Sequence, residues 1–193
     1  MATHMNVLAR GDRVLLRDWE RGDLDRVRSL VAADRPWHRT NGPYFGAPTE
    51  ADMSAMAERT ITGSPHEDDG VRTMLGIETG GVLVGAVTWY WESKETDWRR
   101  MGISIHDETY WGQGLATEAL ALWTSYLFQA TDALRLDLAT YSGNPGMVAV
   151  ARRLGFTEEA RMRKARRWAG GVHDALVFGI LREEWEGDAL SAR

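Results

Sequence analysis

The sequence predicts an α/β protein of the α+β kind, a central sheet flanked by helices, and three observations carry that reading. Strand-like runs are joined by tight glycine turns of hairpin type at Thr79-Gly80-Gly81 and Gly170-Gly171. Runs with apolar residues at helical spacing are interleaved with those strands rather than segregated from them. One strand-like run, 98–106, leads through a turn of small residues around Gly112-Gln113-Gly114 into a helical run that reaches about Ala130.

Taken in order, the residues around Val14-Leu15-Leu16 form a short apolar run flanked by Arg13 and Arg17, a first strand. Leu24, Val27, Leu30 and Val31 recur at helical spacing, with Asp23 placed to cap and Pro36 to end the helix. A loop from Trp37 to Gly46 carries three aromatics among glycine and proline, a chemistry often functional in a connection of this length. Thr49-Glu50-Ala51-Asp52 reads as a capping box that opens a second helix packing Met53, Met56 and Ile61. The polar stretch 63–70 breaks it.

Residues 71–78 and 82–90 read as two strands of an antiparallel hairpin, the second ending in Trp89-Tyr90-Trp91, which alternate between faces. A third strand, 98–106, delivers the chain to the glycine turn, and the helix beyond buries Ala116, Ala119, Leu120, Trp123 and Leu127. Residues 134–141 alternate as a strand, 147–154 form a helix closed by Gly155 as a left-handed cap, and 156–168 pair with 172–181 as a last hairpin.

Length and composition limit the classes. The 193 residues suit one domain, 1–193 with a core of about 13–185, long enough to bury a core without staples. With no cysteine there is no disulfide framework, thiolate nucleophile or cysteine metal site, which fits a reducing, cytoplasmic setting. No stretch approaches the ~20 apolar residues of a membrane span, so no membrane partner is expected. Asp and Glu number 28 against 23 Lys and Arg, a net charge of −5 that argues against a nucleic-acid partner.

The glycine turn carries the chemistry. The first turn of a helix has backbone N–H groups without intrahelical partners, at the positive end of the helix dipole. Gly112, Gly114 and Ala116 leave room for a pyrophosphate to approach them. A second element lies downstream: Asn144-Pro145-Gly146 leads into a helix that closes with Gly155-Phe156. Together they resemble the GNAT acyltransferase superfamily, whose Q/R-x-x-G-x-G/A loop grips coenzyme A and whose N-x-x-S/A helix ends in G-F. The stretch Trp111-Gly112-Gln113-Gly114 with Thr117-Glu118-Ala119-Leu120, and the tail around Gly179-Ile180-Leu181 and Trp185, are similar to the RimJ/RimL type, known for acetylating ribosomal-protein N-termini.

The resemblance implies the GNAT fold, a mixed, mostly antiparallel sheet with helices on its faces. It implies an acetyl-CoA-dependent N-acetyltransferase, with a small-molecule or peptide amine as acceptor, and a homodimer by analogy with RimL-like relatives; no H-x-x-x-H or clustered-carboxylate spacing argues for a metal, so no metal is expected. It gives Ile103 and Ile105 as strand residues that pair with the pantetheine arm. Gly112, Gln113, Gly114, Leu115, Ala116 and Thr117 become the pyrophosphate cradle, and Asn144 a side-chain contact to pantetheine. Trp111 stands where the family usually has Arg or Gln.

The catalytic pattern departs from the family. Where the RimL type has a Ser acid and a Glu base, this chain has Met147 and Arg166, incapable of those roles; Ala151 and Ala139 occupy the places of the tyrosine and glutamate of other branches. The substitutes are Asp97 as base and Tyr141 as acid, each competing with a bland alternative as solvated loop charge and rim aromatic. His106 falls where the backbone faces CoA, so its side chain is expected to turn elsewhere. The basic run Arg161, Arg163, Lys164, Arg166, Arg167 reads either as an RNA surface or as a solvated strand face, the acidic whole favouring the latter; Arg152 or Arg153 is placed for the 3′-phosphate of CoA. Trp37, Tyr44, Phe45, Trp89 and Trp91 are candidates to line an acceptor pocket for an apolar or cationic substrate. Two alternatives stay open: a CoA-binding regulatory protein without turnover, and a transferase whose donor is carrier-bound or tRNA-bound.

Overall fold

The structure, a computed structural model, describes residues 6–40 and 49–185. Within these residues the elements follow one another as β1 (Val7–Arg10), β2 (Leu15–Arg17), α1 (Leu24–Val31), α2 (Glu50–Thr62), β3 (Glu67–Asp68), β4 (Val71–Arg72), β5 (Met74–Thr79), β6 (Val82–Ser93), β7 (Trp98–Ile105), α3 (Leu115–Ala130), β8 (Arg135–Tyr141), α4 (Pro145–Arg153), β9 (Thr157–Trp168) and β10 (Gly171–Leu181). Eight strands form one sheet in the order β1-β2-β5-β6-β7-β8-β10-β9, with β3 and β4 as a separate ribbon. Every neighbouring pair of the large sheet is antiparallel except β7 and β8. The mixed, mostly antiparallel α/β architecture is the one expected.

Two hydrophobic clusters form on opposite faces. The larger sets α3 and α4 on one face, with Trp123, Leu127, Leu136, Phe178 and Ile180 almost wholly buried. The smaller lies beneath α1 and α2 and takes Trp19, Leu30, Trp37 and Ala57 together with Leu83 and Ala86 of β6. At about 25 cal/mol per Å² of apolar area, burying such faces is the main force holding helices to a sheet.

Local expectations hold in some places and shift in others. Thr49 caps α2 as foreseen, its Oγ1 accepting from the Asp52 amide at 3.2 Å, and Gly155 closes α4 with φ 79°. Asp23 stands at the N-cap position of α1 but its side chain makes no capping bond there: it ends a 3₁₀ turn, Arg21–Asp23, where its carboxylate accepts from the Glu20 amide at 2.8 Å and from Arg17 at 2.7 and 2.9 Å. A charged partner from β2 outcompetes the helix end.

Nor does α1 run to Pro36. It stops at Val31 because Trp37 Nε1 donates to the Leu30 carbonyl at 2.7 Å, and His38 Nε2 lies 3.3 and 3.0 Å from the carbonyls of Val31 and Ala32. Pro36 opens a 3₁₀ turn, Pro36–Arg39, instead. The predicted strand 71–78 is broken at Thr73 into β4 and β5, and β1 is an additional edge strand.

Candidate active site

Pairing between β7 and β8 covers only Arg99↔Leu136, Arg100↔Asp137 and Met101↔Leu138. Beyond that point each strand keeps its other neighbour: β7 stays on β6 to Ile105↔Gly85, and β8 stays on β10 to Tyr141↔Ala175. The two parallel strands therefore splay apart like a wedge. Its closed end is pinned by Asp137, which has no solvent exposure and accepts from Trp98 Nε1 at 2.6 Å and Arg100 Nε at 2.7 Å. Its open end widens into a cavity of about 870 Å³ that Ile103 to Ile105 line from one side and Ala139 to Tyr141 from the other.

The backbone of β7 faces this wedge in a defined way. His106 N–H donates back to Val84 of β6 at 2.9 Å, whereas the Ile105 carbonyl accepts from Trp111 Nε1 at 2.8 Å. Successive residues of a strand present their amides to opposite edges. The amides of Ile103 and Ile105 accordingly point away from β6, into the splay. Trp111, whose place in the sequence suggested only a lost polar contact, anchors the edge of this strand.

At the mouth of the cavity lies the glycine turn. Gly112 and Gly114 have φ of 73° and 81°, a left-handed conformation costing other residues about 1–2 kcal/mol. Gly114 is the N-cap of α3, so the amides of Leu115, Ala116 and Thr117 are the free donors of the first turn. Gly112, Gly114, Leu115, Ala116 and Thr117 all line the cavity; Gln113 does not, its amide donating to the Thr109 carbonyl at 2.9 Å. Ala116, expected in the core, is only half-buried because it faces the cavity.

A long-range contact that sequence reading missed secures the turn. Arg13 Nη1 donates to the Gln113 carbonyl at 2.8 Å and Nε to Glu118 at 3.3 Å, while Glu118 Oε1 accepts the amides of Arg13 and Val14 at 2.7 and 3.0 Å. Burial opposes ionisation of Glu118, but the backbone donors of Arg13 and Val14 outweigh it and hold the carboxyl below the ordinary glutamate range. The two residues are about a hundred positions apart, so no local signal connects them.

Asn144 lines the cavity with its amide engaged at both ends: Oδ1 caps α4 by accepting from Met147 at 3.1 Å, and Nδ2 donates to the Thr40 carbonyl at 3.2 Å. Tyr141 is buried beside it, its hydroxyl donating to the Arg39 carbonyl at 3.3 Å. The 3₁₀ turn at Pro36–Arg39 is thus strapped across the ends of β8 and α4. Met147 and Arg153 also line the cavity. Arg152 instead pairs with Glu158 at 3.3 Å, which singles out Arg153 as the cation of that pair facing the cleft.

Three expectations need correction. Asp97 is not brought to the cleft: it ion-pairs with Arg99 in the turn before β7, roughly 25 Å along the strand from Ile105 at ~3.3 Å per residue. His106 does not turn elsewhere; it lines the cavity, its ring centroid 4.4 Å from that of Trp37, buried, with its pKa pushed down to about 4 by desolvation and by neighbouring His38. Trp89 and Trp91 share the opposite face, where Trp89 donates to the Arg72 carbonyl at 2.8 Å and Trp91 to Asp68 at 2.6 Å, so the period of two puts Tyr90 at the cavity in their place. Trp37 does line it. Tyr44 and Phe45 lie outside the described residues.

Arg161 of the basic run on β9 is neutralised locally by Glu158 at 2.7 Å and Asp174 at 2.8 Å. Among the described residues, no group of three or more His, Asp or Glu is placed to hold a metal, and no helix is long and apolar enough to cross a membrane.

Comparison with known proteins agrees with this geometry. The family profile described as Acetyltransferase (GNAT) domain matches residues 13–157. A protein of Bacillus subtilis (strain 168) named "Putative ribosomal N-acetyltransferase YdaF" is 30% identical over 181 residues, covering 92% of this chain and 96% of the relative. Among solved structures, RimL, the ribosomal L7/L12 alpha-N-protein acetyltransferase, superposes with a TM-score of 0.73 at 18% identity, covering 94% of this chain and 97% of its own. The spermidine N-acetyltransferase from Vibrio cholerae in complex with CoA and spermine gives 0.70 at 18% identity, with 91% and 99% covered. At those identities the structural likeness is one of fold.

Proposed function

The chain belongs to the GNAT acetyltransferase family, in its RimJ/RimL-like branch, and from that premise we propose that it is an acetyl-CoA-dependent N-acetyltransferase that acetylates a primary amine, on a small molecule or a peptide N-terminus, by direct attack in a ternary complex. The observation that carries this reading is the splay between β7 and β8, opening onto a glycine turn at a helix N-terminus.

Acetyl-CoA fits the residues present. Free amides at Leu115 to Thr117, approached over Gly112 and Gly114, suit a pyrophosphate. The exposed edge of Ile103 and Ile105 suits the amide-bearing pantetheine arm, as an added strand does, with Asn144 on its far side and Arg153 available for a phosphate. Bound there, acetyl-CoA supplies the acetyl group as an activated thioester.

The chain's own residues offer the backbone donors at the edge of β7 and hold one proton. We assign that proton to the hydroxyl of Tyr141, a buried residue at the wall of the splay, as general acid. No carboxylate stands among the described residues that line the cavity. The amine therefore enters as the free base, its ammonium proton left in bulk water because an apolar wall disfavours the charged form; as nitrogen bonds the acetyl carbon and the carbon–sulfur bond breaks, Tyr141 protonates the departing thiolate and the proton shed by the new amide nitrogen replaces it.

Thiol release from free acetyl-CoA, measured against a panel of amines, tests the reading. Amine-dependent release is expected, with Tyr141→Phe lowering kcat by about a hundredfold, the lower range for acid–base groups, while CoA affinity is kept. Met147, a thioether lining the cavity where the RimL type has its serine, favours a second reading as a CoA-binding protein without turnover. CoA binding with no amine-dependent release would select that second reading; release only from a carrier-bound donor would contradict both.

A further inference from the structure

The cavity does not end at the splay. Past Ile105 and His106 it continues beneath α1 and α2 into the smaller hydrophobic cluster, where Trp19, Leu30, Val31, Trp37, Met56 and Met74 form its walls. The same cavity that holds the donor cleft is thus lined at this end by apolar side chains, an apolar chamber continuous with the cleft. We infer that this chamber is the acceptor subsite and that it takes a small aralkyl monoamine, a single amino group on an aromatic and methylene body, rather than a polyamine or a polar peptide. The inference rests on the transferase reading above and narrows it to a substrate class.

Charge decides between acceptor classes. A polyamine has a second ammonium that must find a carboxylate or remain in water, because an unpaired buried cation is strongly disfavoured. None of the described residues lining the cavity is Asp or Glu. His106, the ionisable ring at the junction of cleft and chamber, is neutral near pH 7, since burial pushes its pKa down to about 4. The polar groups at the chamber are hydroxyls such as that of Thr60, already donating to the Met56 carbonyl at 3.0 Å.

Shape and surface chemistry favour an aromatic body. Trp37 lines the cavity and packs against His38 and His106, its ring tilted 31° and 49° to theirs at centroid distances of 3.9 and 4.4 Å, an aromatic cluster at this end of the site. Met56 and Met74 of the smaller cluster line the same cavity, and methionine sulfur packs favourably against ring edges. An aralkyl body seated here leaves its amino end toward the Ile105 edge of the splay.

The test compares phenethylamine, spermidine and a serine-initiated hexapeptide, both as substrates with free acetyl-CoA and by calorimetric titration into the CoA-saturated protein. Phenethylamine is expected to exceed spermidine in kcat/KM by at least about a hundredfold and to bind where spermidine does not. The Met56→Glu variant, placing a carboxylate on the chamber wall, is expected to reverse that preference; should it fail to fold, the calorimetry on the unaltered protein still decides. Higher kcat/KM for spermidine or the peptide would overturn this inference and leave the transferase reading intact. Phenethylamine binding without acetylation of any amine would keep the chamber assignment and overturn the transferase reading.

Discussion

Glu118 gives the most demanding test of how the glycine turn is held. Replacing it by alanine removes acceptors for the amides of Arg13 and Val14 at 2.7 and 3.0 Å and a partner for the Arg13 guanidinium at 3.3 Å. The guanidinium is 54% exposed and regains water at little cost. Val14, with no exposure, does not, and its amide remains buried without a partner. An unsatisfied buried donor costs about 1–3 kcal/mol, and a hydrogen bond to a charged acceptor contributes about 1.5–3. A total destabilisation of about 2.5–6 kcal/mol follows.

Urea denaturation reads that loss directly as a lower midpoint at unchanged m. Glu118→Gln keeps an oxygen acceptor and should lose only about 1 kcal/mol. The sign of the pH dependence is fixed as well. The Glu118 pKa is lowered in the folded state, so its contribution is present above the ordinary glutamate value and is lost as pH falls through the depressed one. The gap between native protein and Glu118→Gln should therefore close in acid. A Glu118→Ala midpoint equal to that of the native protein, or a gap that widens in acid, would refute the reasoning.

Further outcomes follow from the same structure. Arg17, 5% exposed, bonds Asp23 at 2.7 Å and Glu78 at 2.6 Å; Arg17→Met strands two carboxylates and should cost about 3–5 kcal/mol in urea denaturation. Leu30→Ala, at a residue 1% exposed in the smaller cluster, should lose about 2–5 kcal/mol by calorimetric melting. Asp97→Asn should leave kcat within about twofold, because the residue lies far along β7 from the cleft; a loss of a hundredfold (the lower range for an acid–base group) would restore Asp97 as a base.

How much of this was legible in the sequence varies with the range of the forces involved. The glycine turn, the bounds of α3, the Thr49 cap and the Gly155 cap were readable because each is decided within a few residues by backbone freedom and capping chemistry. The splay was not. Where two parallel strands stop pairing depends on β6 and β10 each retaining a partner, a property of the assembled sheet. The Arg13–Glu118 tie spans the chain and leaves no local trace.

The failure at Asp97 was avoidable. The residue opens the strand whose C-terminal end reaches the turn, so chain direction alone places it at the wrong end. Alternation likewise puts Trp89 and Trp91 on one face and Tyr90 on the other, although only the packing of α1 and α2 decides which face meets the cavity. His38 and Trp37 ended α1 early through side-chain bonds to its last carbonyls, a competition that apolar spacing does not reveal.

The central claim, that the splay and the glycine turn form a coenzyme A site, is tested most directly by calorimetric titration with acetyl-CoA of the native protein and of a Gly114→Trp variant. Micromolar binding by the native protein, lost in a variant that still melts cooperatively, is the expected result. No heat of binding in the native protein, or affinity unchanged by a tryptophan at the N-cap of α3, would contradict it.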